Sequence, residues 1–442
     1  MDITYIRCLL NMLSIEKTTD DVMRLEVGAS LFGIDADLYG EWVKWNNERN
    51  LIPIEQLKLE WDSFTNNSKM IGSIGSTGTI GTIGIATLSE IAEIYNSKEF
   101  DRIKKLTESQ TIQLIKHITH YSVAVLLDEK LKYKMKSNGL SFYFFNQHRW
   151  TKLNSTSMIS RILSEDLASS CIEFGNHQIV PHLENSTFKM LVIKEYADIV
   201  YDPNFMNNLD ENINLLCFDN GVYDWQTNRF RPGYPDDLVG ITTKYNLCPS
   251  KMIDNQIGRE IESYIDQLVG GSQRNKSRLL NLLCDSLTGS IDENELYVIV
   301  SNPRIYAIRF FQLIKEVFGD YFEYSNIDRL EKLTRFNQKG IRICLFSQLE
   351  SFDSIKFLEQ YNSQIHASSD LGNTHTYTYR PQFKSIFISE NFPAVTSTLS
   401  SLKVSVINFN TNFELVNLRD KFVKWKSSFM SLLVDRRRNW KR

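Results

Sequence analysis

The sequence has little of what builds disulfide frameworks or metal sites. Its six cysteines among 442 residues are scattered, without a C-x-x-C pair, which favours reduced thiols in an intracellular protein. The seven histidines form no H-E-x-x-H motif and no cluster with cysteine. His117 and His120 share a predicted helix face but have no further ligand nearby. We therefore expect neither a metal site nor an extracellular disulfide scaffold.

Long apolar runs and a strong excess of one charge are also missing. No run of 18 apolar residues occurs and no signal peptide opens the chain, so we expect no membrane insertion. The net charge of −3 gives no overall basic field that would indicate nucleic-acid binding, although a ring can concentrate charge in its channel. The length is sufficient for two or three domains with proper cores.

The most informative stretch is Glu295–Tyr321, ELYVIVSNPRIYAIRFFQLIKEVFGDY. Leu296–Val300 is β-branched and aromatic and predicts a buried strand. Apolar residues at helical spacing predict a helix over residues 308–318, with Gly319 as its C-cap. The eight residues 301–308 therefore connect a strand to a helix, where a P-loop ATPase carries G-x-x-x-x-G-K-[ST].

The position of this turn fits a P-loop, but its residue types do not. Ser301 and Tyr306 stand where the two glycines belong, Ala307 stands at the lysine and Ile308 at the Ser/Thr. Tyr306 carries a Cβ where the backbone must approach phosphate closely, and Ala307 supplies no charge.

The flanks of this turn indicate a family. FFQLIKEVFGDYF and the upstream LLNLLCDSLTGS resemble the sequence around the Walker A motif of superfamily 3 helicases, in particular the primase–helicases of poxviruses and other nucleocytoplasmic large DNA viruses. The chain is identified as a member whose Walker motifs are degenerate. The resemblance implies an AAA+-like α/β domain that uses ATP and Mg²⁺ to unwind DNA.

Three further motifs of that family can be placed here. The stretch IRICLFSQLE occupies the Walker B position, where an acid should follow the serine; Gln348 stands there and Glu350 comes two residues late. FKSIFISENFPAV resembles the third motif, and its Asn391 would contact the γ-phosphate or the attacking water. SLKVSVINF resembles the arginine-finger segment, with Leu402 and Lys403 at the arginine positions. Only the asparagine keeps its residue type.

The middle of the chain adds a second resemblance. Leu215–Leu247 resembles the signature of the domain that precedes the ATPase in these viral helicases. Asn220-Gly221 predicts a tight hairpin turn, and Tyr223 and Trp225 should point to one face of the hairpin. A structural role is sufficient for these residues.

The N-terminal part predicts a small helical unit over residues 1–65, with Trp42, Trp45 and Trp61 as core anchors. It resembles the helical domain that follows the polymerase domain in many viral and plasmid primases. The primase catalytic domain would lie upstream of this sequence, so we expect no primer synthesis. Residues 66–87 repeat glycine at every third position and predict a disordered linker.

Together these patterns predict a multidomain α+β protein with a helical domain at 1–65, a linker at 66–87, a mixed α+β domain at 88–254 and an α/β AAA+-like domain at 255–442. The basic C-terminus suggests weak DNA contact or simply a solvated helix end. Its basic residues are Arg436, Arg437, Arg438, Lys441 and Arg442.

Three functions remain open from the sequence. The first is a helicase-like DNA replication protein that is deficient in ATP hydrolysis and acts as a structural or regulatory subunit, without a cofactor. The second is an active helicase whose loop is misaligned, with ATP and Mg²⁺ as cofactors. The third is an adaptor for a partner primase or helicase. We expect single-stranded or duplex DNA, a homo-oligomeric ring or an intact helicase or primase as partners, in the host cytoplasm, the viral factory or the virion.

Overall fold

The structure is a computed structural model that divides the chain into two compact units. The first unit holds residues 1–208 and 234–238, and the second holds 209–233 and 239–442. The domain boundary predicted between residues 254 and 255 lies inside the second unit. The division of the chain into four family domains stays a prediction. The structure describes residues 3–13, 21–48, 52–71, 84–291, 295–325, 339–346, 366–369, 376–391, 403–410 and 419–440.

The first unit begins with helices, as predicted. They are α1 (Ile3–Met12), α2 (Asp21–Ile34), α3 (Tyr39–Asn47), α4 (Ile54–Ile71), α5 (Ile85–Tyr95) and α6 (Ser97–Leu114). Trp42, Trp45 and Trp61 are buried in their core, and the rings of Trp42 and Trp45 stack 5.8 Å apart. Gly28 lies against Trp42, where a Cβ would come within 2.9 Å of the indole. The close packing of α2 on α3 therefore requires glycine at this position.

Helices extend into both ends of the predicted linker. α4 continues to Ile71, and α5 already begins at Ile85 because Leu88 and Ile91 bury its apolar stripe. Thr87 is 1% exposed, so the disorder predicted for its neighbourhood is wrong there. Residues 72–83 lie outside the described residues, and their disorder stays a prediction.

The rest of the first unit mixes helices with a small antiparallel sheet. Its elements are α7 (His120–Lys130), β1 (Met135–Ser137), β2 (Phe142–Asn146), β3 (Arg149–Lys152), α8 (Ser157–Arg161), a π-helical turn (Ile162–Leu167), α9 (Ala168–Glu173), α10 (Val180–Glu184), α11 (Ser186–Ile199) and α12 (Phe205–Asn208). The predicted hairpin is confirmed: Asn146 pairs with Arg149, and Gln147 takes φ +58° in the two-residue loop.

The second unit opens with a three-stranded antiparallel sheet of β4 (Leu215–Phe218), β5 (Gly221–Asp224) and β6 (Arg229–Arg231). The tight turn is confirmed, with Phe218 paired to Gly221. Gly221 has φ +150°, and a Cβ there would lie 2.8 Å from the ring of Phe230. Tyr223 and Trp225 share one face, as predicted, with ring centroids 4.3 Å apart.

A five-stranded parallel sheet forms the core of the second unit, in the order β13-β7-β12-β9-β8. The strand predicted at Leu296–Val300 and the helix predicted over residues 308–318 are confirmed, although the helix already begins at Ile305. The motif stretches IRICLFSQLE and FKSIFISENFPAV contribute two further strands to the same sheet. The elements are α13 (Asn255–Leu268), α14 (Gln273–Asp285), β7 (Glu295–Val300), α15 (Ile305–Phe318), β8 (Phe322–Ser325), β9 (Ile343–Phe346), β10 (His366–Ser369), β11 (Thr376–Tyr379), β12 (Lys384–Ser389), β13 (Lys403–Asn408) and α16 (Arg419–Trp440).

A cluster of buried polar groups lies at the amino ends of β9 and β12. Arg342 Nη1 donates to Gln382 Oε1, and Arg342 Nη2 donates to the carbonyl of Leu215 at 3.2 Å. Gln382 Nε2 donates to the carbonyl of Asp210 at 3.1 Å. The Asp210 carboxylate accepts the backbone N–H of Gly240 at 2.7 Å, while burial raises the pKa of that carboxyl. This cluster ties the segment before β4 to the parallel sheet.

Lys339 next to this cluster gives a pH-dependence prediction. Burial lowers its pKa from 10.5 to about 8, and Glu211 and Asp210 oppose the shift only in part. Between those values the unfolded chain holds a proton that the folded protein has released, so the contribution of Lys339 to stability should rise with pH. Between pH 7.5 and 10.5, the free energy of unfolding of the wild type should rise by roughly 3 kcal/mol relative to that of the Lys339→Met variant. Urea unfolding across this range measures the difference, and a constant difference would contradict the assignment.

Candidate nucleotide site

β7 and β12 are neighbours in the sheet, but the chain leaves them towards opposite edges. From β7 it continues to β8 at one edge, and from β12 it continues to β13 at the other. The carboxyl ends of such a strand pair form the crevice in which open α/β sheets bind ligands. The turn 301–308 follows β7, and Asn391 lies just beyond β12. The structure therefore brings the predicted phosphate turn and the predicted asparagine to one place.

Ser301 is closed inside this turn. Its side chain has no exposed surface, and its Oγ donates to the carbonyl of Pro303 at 2.9 Å. Its backbone N–H donates to the carbonyl of Ser389 at 2.9 Å, which extends the pairing of β7 with β12. The hydroxyl and the N–H of Ser301 are therefore both used within the protein at the position of the first P-loop glycine.

Ala307 lies on the buried face of α15. It is 0% exposed and shares the helix face of Phe310, Phe311 and Ile314, which pack into the core of the parallel sheet. Ile308, at the Ser/Thr position, is 39% exposed. The residue at the P-loop lysine position therefore faces the core.

Asn391 is exposed at the carboxyl end of β12, and its carbonyl accepts the hydroxyl of Ser389 at 2.5 Å. Gln348 and Glu350 lie outside the described residues. They come two and four residues after Phe346, the last residue of β9, which pairs with Phe387 in the same sheet. Their predicted place at this edge stays a prediction.

Lys403 lies at the other end of the sheet. It pairs in register with Glu295, the first residue of β7, and its Nζ forms an ion pair with Glu295 Oε1 at 3.0 Å. Ser301 is six residues beyond Glu295, so about 20 Å of strand, at about 3.3 Å per residue, separates Lys403 from Ser301. The structure does not bring Lys403 to the nucleotide position of this chain. Leu402 lies outside the described residues.

The same carboxyl edge carries an open groove of about 680 Å³ beside the end of β13. Gly270, Gly271 and Asn410 line it, and the Asn410 N–H donates to the carbonyl of Leu268 at 2.7 Å. The charged residues that line it are Arg259, Glu262 and Asp266. Lys276 Nζ lies 2.7 Å from Asp266 and 3.3 Å from Glu262, so these carboxylates already have a cation. The groove offers little positive charge to a triphosphate.

One cation in the turn was missed from the sequence. Arg304 is the only basic residue among 301–308, and it stands immediately before the first residue of α15. Alignment with the P-loop motif does not detect Arg304, because the lysine of that motif aligns with Ala307, three positions later. Counting charges across the whole turn would have found it.

The C-terminal arginines separate into two kinds. Arg437 is 8% exposed; its Nη1 donates to the carbonyl of Cys284 at 2.5 Å, and its guanidinium lies 5.1 Å above the ring of Trp225. Arg437 is thus used inside the protein and does not belong to the predicted DNA-contacting cluster. Arg436 and Arg438 are exposed on α16, and their contact with DNA stays a prediction.

Two further predictions concern metals and membranes. Within the ranges that the structure describes, no group of three or more His, Cys, Asp or Glu side chains could hold a metal ion. Among the helices of the same ranges, none combines the length and the apolar character needed to cross a bilayer.

Comparison with known proteins supports the resemblance seen in the motifs. Residues 120–269 match the family described as D5 N terminal like. This match contains the stretch Leu215–Leu247, on which the resemblance of the middle domain rests.

Two viral proteins are similar to this chain. "Putative helicase L207/L206" of Acanthamoeba polyphaga mimivirus is 26% identical over 498 positions, covering 96% of this chain and 49% of that protein. "Putative helicase 121R" of Invertebrate iridescent virus 3 is 23% identical over 113 positions, covering 26% and 12%. The chain spans about half the length of the mimivirus relative. The resemblance to primase–helicases of large DNA viruses is confirmed by these relatives and by the D5 N-terminal-like domain.

Among solved structures, the apo form of the NrS-1 C-terminal region aligns with 43% of this chain and 49% of that chain, at 10% identity and a TM-score of 0.35. A second apo form of that region covers the same shares, at 12% identity and a TM-score of 0.33. These alignments are too distant to inform function.

Proposed function

We propose that this chain, a relative of viral helicases with a D5 N-terminal-like domain, is a helicase-like DNA replication protein that does not hydrolyse ATP by itself. Residues 255–442 would form a degenerate AAA+-like domain of the superfamily 3 type. Its role would be structural or regulatory, in a ring or beside an intact helicase or primase, without a bound cofactor.

The observation that carries this proposal is the position of Ala307. In a working P-loop a lysine at this place reaches the β- and γ-phosphates. Here the side chain is an alanine without exposed surface, on the stripe of α15 that belongs to the buried core of the second unit. Compared with a P-loop lysine, Ala307 therefore lacks the positive charge, and its side chain is part of the core.

Electrostatics gives the expected size of the effect. A triphosphate carries about four negative charges, which P-loop enzymes neutralise with lysine, Mg²⁺ and arginine. The turn 301–308 has Arg304 as its only cation. The groove beside β13 adds Arg259, and its carboxylates Glu262 and Asp266 already pair with Lys276. Losing such groups typically costs several kcal/mol of transition-state stabilisation, or about 10³-fold in rate.

The test is nucleotide binding by the purified chain with and without Mg²⁺, followed by phosphate release in the presence of single-stranded DNA. We expect no Mg²⁺-dependent binding and no phosphate release above the rate without protein, at several protein concentrations. An intact superfamily 3 helicase in the same assay serves as the positive control.

Two outcomes would favour the other functions. Turnover of the order of 1 s⁻¹, as in working enzymes of this kind, would support the active helicase with ATP and Mg²⁺ as cofactors. Failure to hydrolyse ATP, together with co-purification of an intact primase or helicase through residues 1–65 alone, would support the adaptor. Binding of DNA through Arg436 and Arg438 belongs to the proposal in every case.

A further inference from the structure

A five-residue segment of the chain belongs to a different unit from its neighbours in sequence. Residues 209–233 lie in the second unit, Tyr234–Leu238 belong to the first, and the chain is back in the second from Val239. We call Tyr234–Leu238 the strap. Its hydrogen bonds to Glu26, Gly84, Thr87 and Trp150 lie within the first unit.

The strap supplies the N-cap that α5 lacks. The N-cap residue Gly84 has no side chain that could accept a hydrogen bond from the first turn. Asp236 Oδ2 instead accepts the backbone N–H of Gly84 at 3.0 Å, the N–H of Thr87 at 2.9 Å and Thr87 Oγ1 at 2.7 Å. A carboxylate at a helix N-terminus is favoured by its free N–H groups and by the helix dipole.

The residues on either side of this carboxylate are bound by other elements. Tyr234 is 4% exposed, and its hydroxyl donates to Glu26 Oε2 on α2 at 2.9 Å. The carbonyl of Pro235 accepts the indole N–H of Trp150, on β3, at 2.7 Å. Three elements far apart in sequence therefore each bind one group of the Tyr-Pro-Asp sequence.

A hydrogen bond within the strap also stabilises its turn. The backbone N–H of Tyr234 donates to Asp237 Oδ2 at 2.7 Å, which closes a short turn around the proline. Leu238 then leaves the strap with φ +49°, a left-handed conformation that is unfavourable for leucine.

We infer that the first unit contains a binding site for a short acidic peptide of the type Tyr-Pro-Asp in a turn conformation, which the strap of the same chain fills. The site has an apolar place for the tyrosine ring, an indole donor for the proline carbonyl and a helix N-terminus for the carboxylate. These groups together recognise side chains and backbone of a short peptide, as peptide-binding domains do. An empty site would leave α5 without its cap.

The inference is tested with the full-length chain carrying Asp236→Ala, which removes the cap while the rest of the site stays intact. The probe is a fluorescein-labelled peptide of residues 231–240, RPGYPDDLVG, followed by fluorescence anisotropy. We expect at least 10-fold tighter binding to the variant than to the wild type, whose site is filled. The same peptide with Asp236→Asn should bind the variant at least 10-fold more weakly. Asp101→Ala, an exposed aspartate on α6, is the matched control and should behave as the wild type.

Equal binding to the variant and the wild type, or no binding to a folded variant, would overturn the inference. A milder change covers the case in which Asp236→Ala does not fold. Tyr234→Phe removes only the hydroxyl bonded to Glu26, and it should speed hydrogen exchange in residues 84–91 several-fold without affecting β7. Unchanged exchange in 84–91, or an equal increase in β7, would count against the site.

Discussion

Replacing Ala307 by lysine should destabilise the protein and should not restore ATP hydrolysis. The alanine side chain is fully buried on the core-facing side of α15, which it shares with Phe310, Phe311 and Ile314. A lysine there must either bury an ammonium among apolar side chains or push the helix away from the core. An uncompensated buried charge typically costs about 3–5 kcal/mol, and overpacking adds about 1–3 kcal/mol. We therefore expect a loss of at least about 3 kcal/mol.

The measurement is guanidinium unfolding of Ala307→Lys against the wild type, with phosphate release assayed on the folded variant. Ile308→Lys is the matched control, because the same side chain is introduced one position later, at a residue that is 39% exposed. Surface substitutions of this kind usually cost within about 0.5 kcal/mol. A stable Ala307→Lys variant that hydrolyses ATP would show that the turn can open towards phosphate.

Reverting several motif positions one at a time should not recover activity either. Phosphate-binding groups act as a unit, so the loss of any one of them removes most of the rate. Ala307, Gln348 and Lys403 would all need replacement, and Lys403 lies at the opposite end of the sheet from Ser301. Each single reversion leaves the other positions without their charges, so we expect phosphate release by each single variant to stay at the rate without protein.

The sequence patterns that correctly predicted elements of the second unit are local and do not depend on distant residues. β7 and β12 are short runs of β-branched and aromatic residues, and their period and length define a buried strand. The heptad-like spacing of apolar residues in α15 defines a helix in the same way. The meeting of Ser301 with the Asn391 region was implied only by the family resemblance, and the structure shows it in the parallel pairing of β7 with β12.

The features that the sequence did not predict depend on partners far along the chain. Arg437 sits in a run of three arginines that reads as a basic surface, and only Trp225 and Cys284 decide that its guanidinium is buried. Thr87 reads as part of a linker until Asp236, about 150 residues later, caps its helix. Local periodicity contains no information about either contact.

The buried guanidinium of Arg342 should be worth more to stability than any exposed ion pair of the chain. Burial lowers its pKa to about 10. Its Nη atoms donate hydrogen bonds to the side chain of Gln382 and to the carbonyls of Asn212 and Leu215. Gly289 leaves room for it, because a Cβ at that position would lie 2.6 Å from Nη1. Arg342→Ala would leave these acceptors buried and unpaired, so we expect a loss of about 3–5 kcal/mol in urea unfolding.

A double-mutant cycle separates the network from simple loss of volume. Arg342→Met and Gln382→Leu should each be destabilising, since each leaves the other side chain buried without its partner. The double variant should lose less than the sum by about 0.5–3 kcal/mol, because the hydrogen bond between the two side chains is counted in both single losses but is lost only once. Arg102→Ala, which breaks the exposed ion pair with Glu99, is the control and should leave the unfolding midpoint almost unchanged. Additive losses from Arg342 and Gln382 would mean that the two side chains stabilise the sheet independently, and that the hydrogen bond between them contributes little.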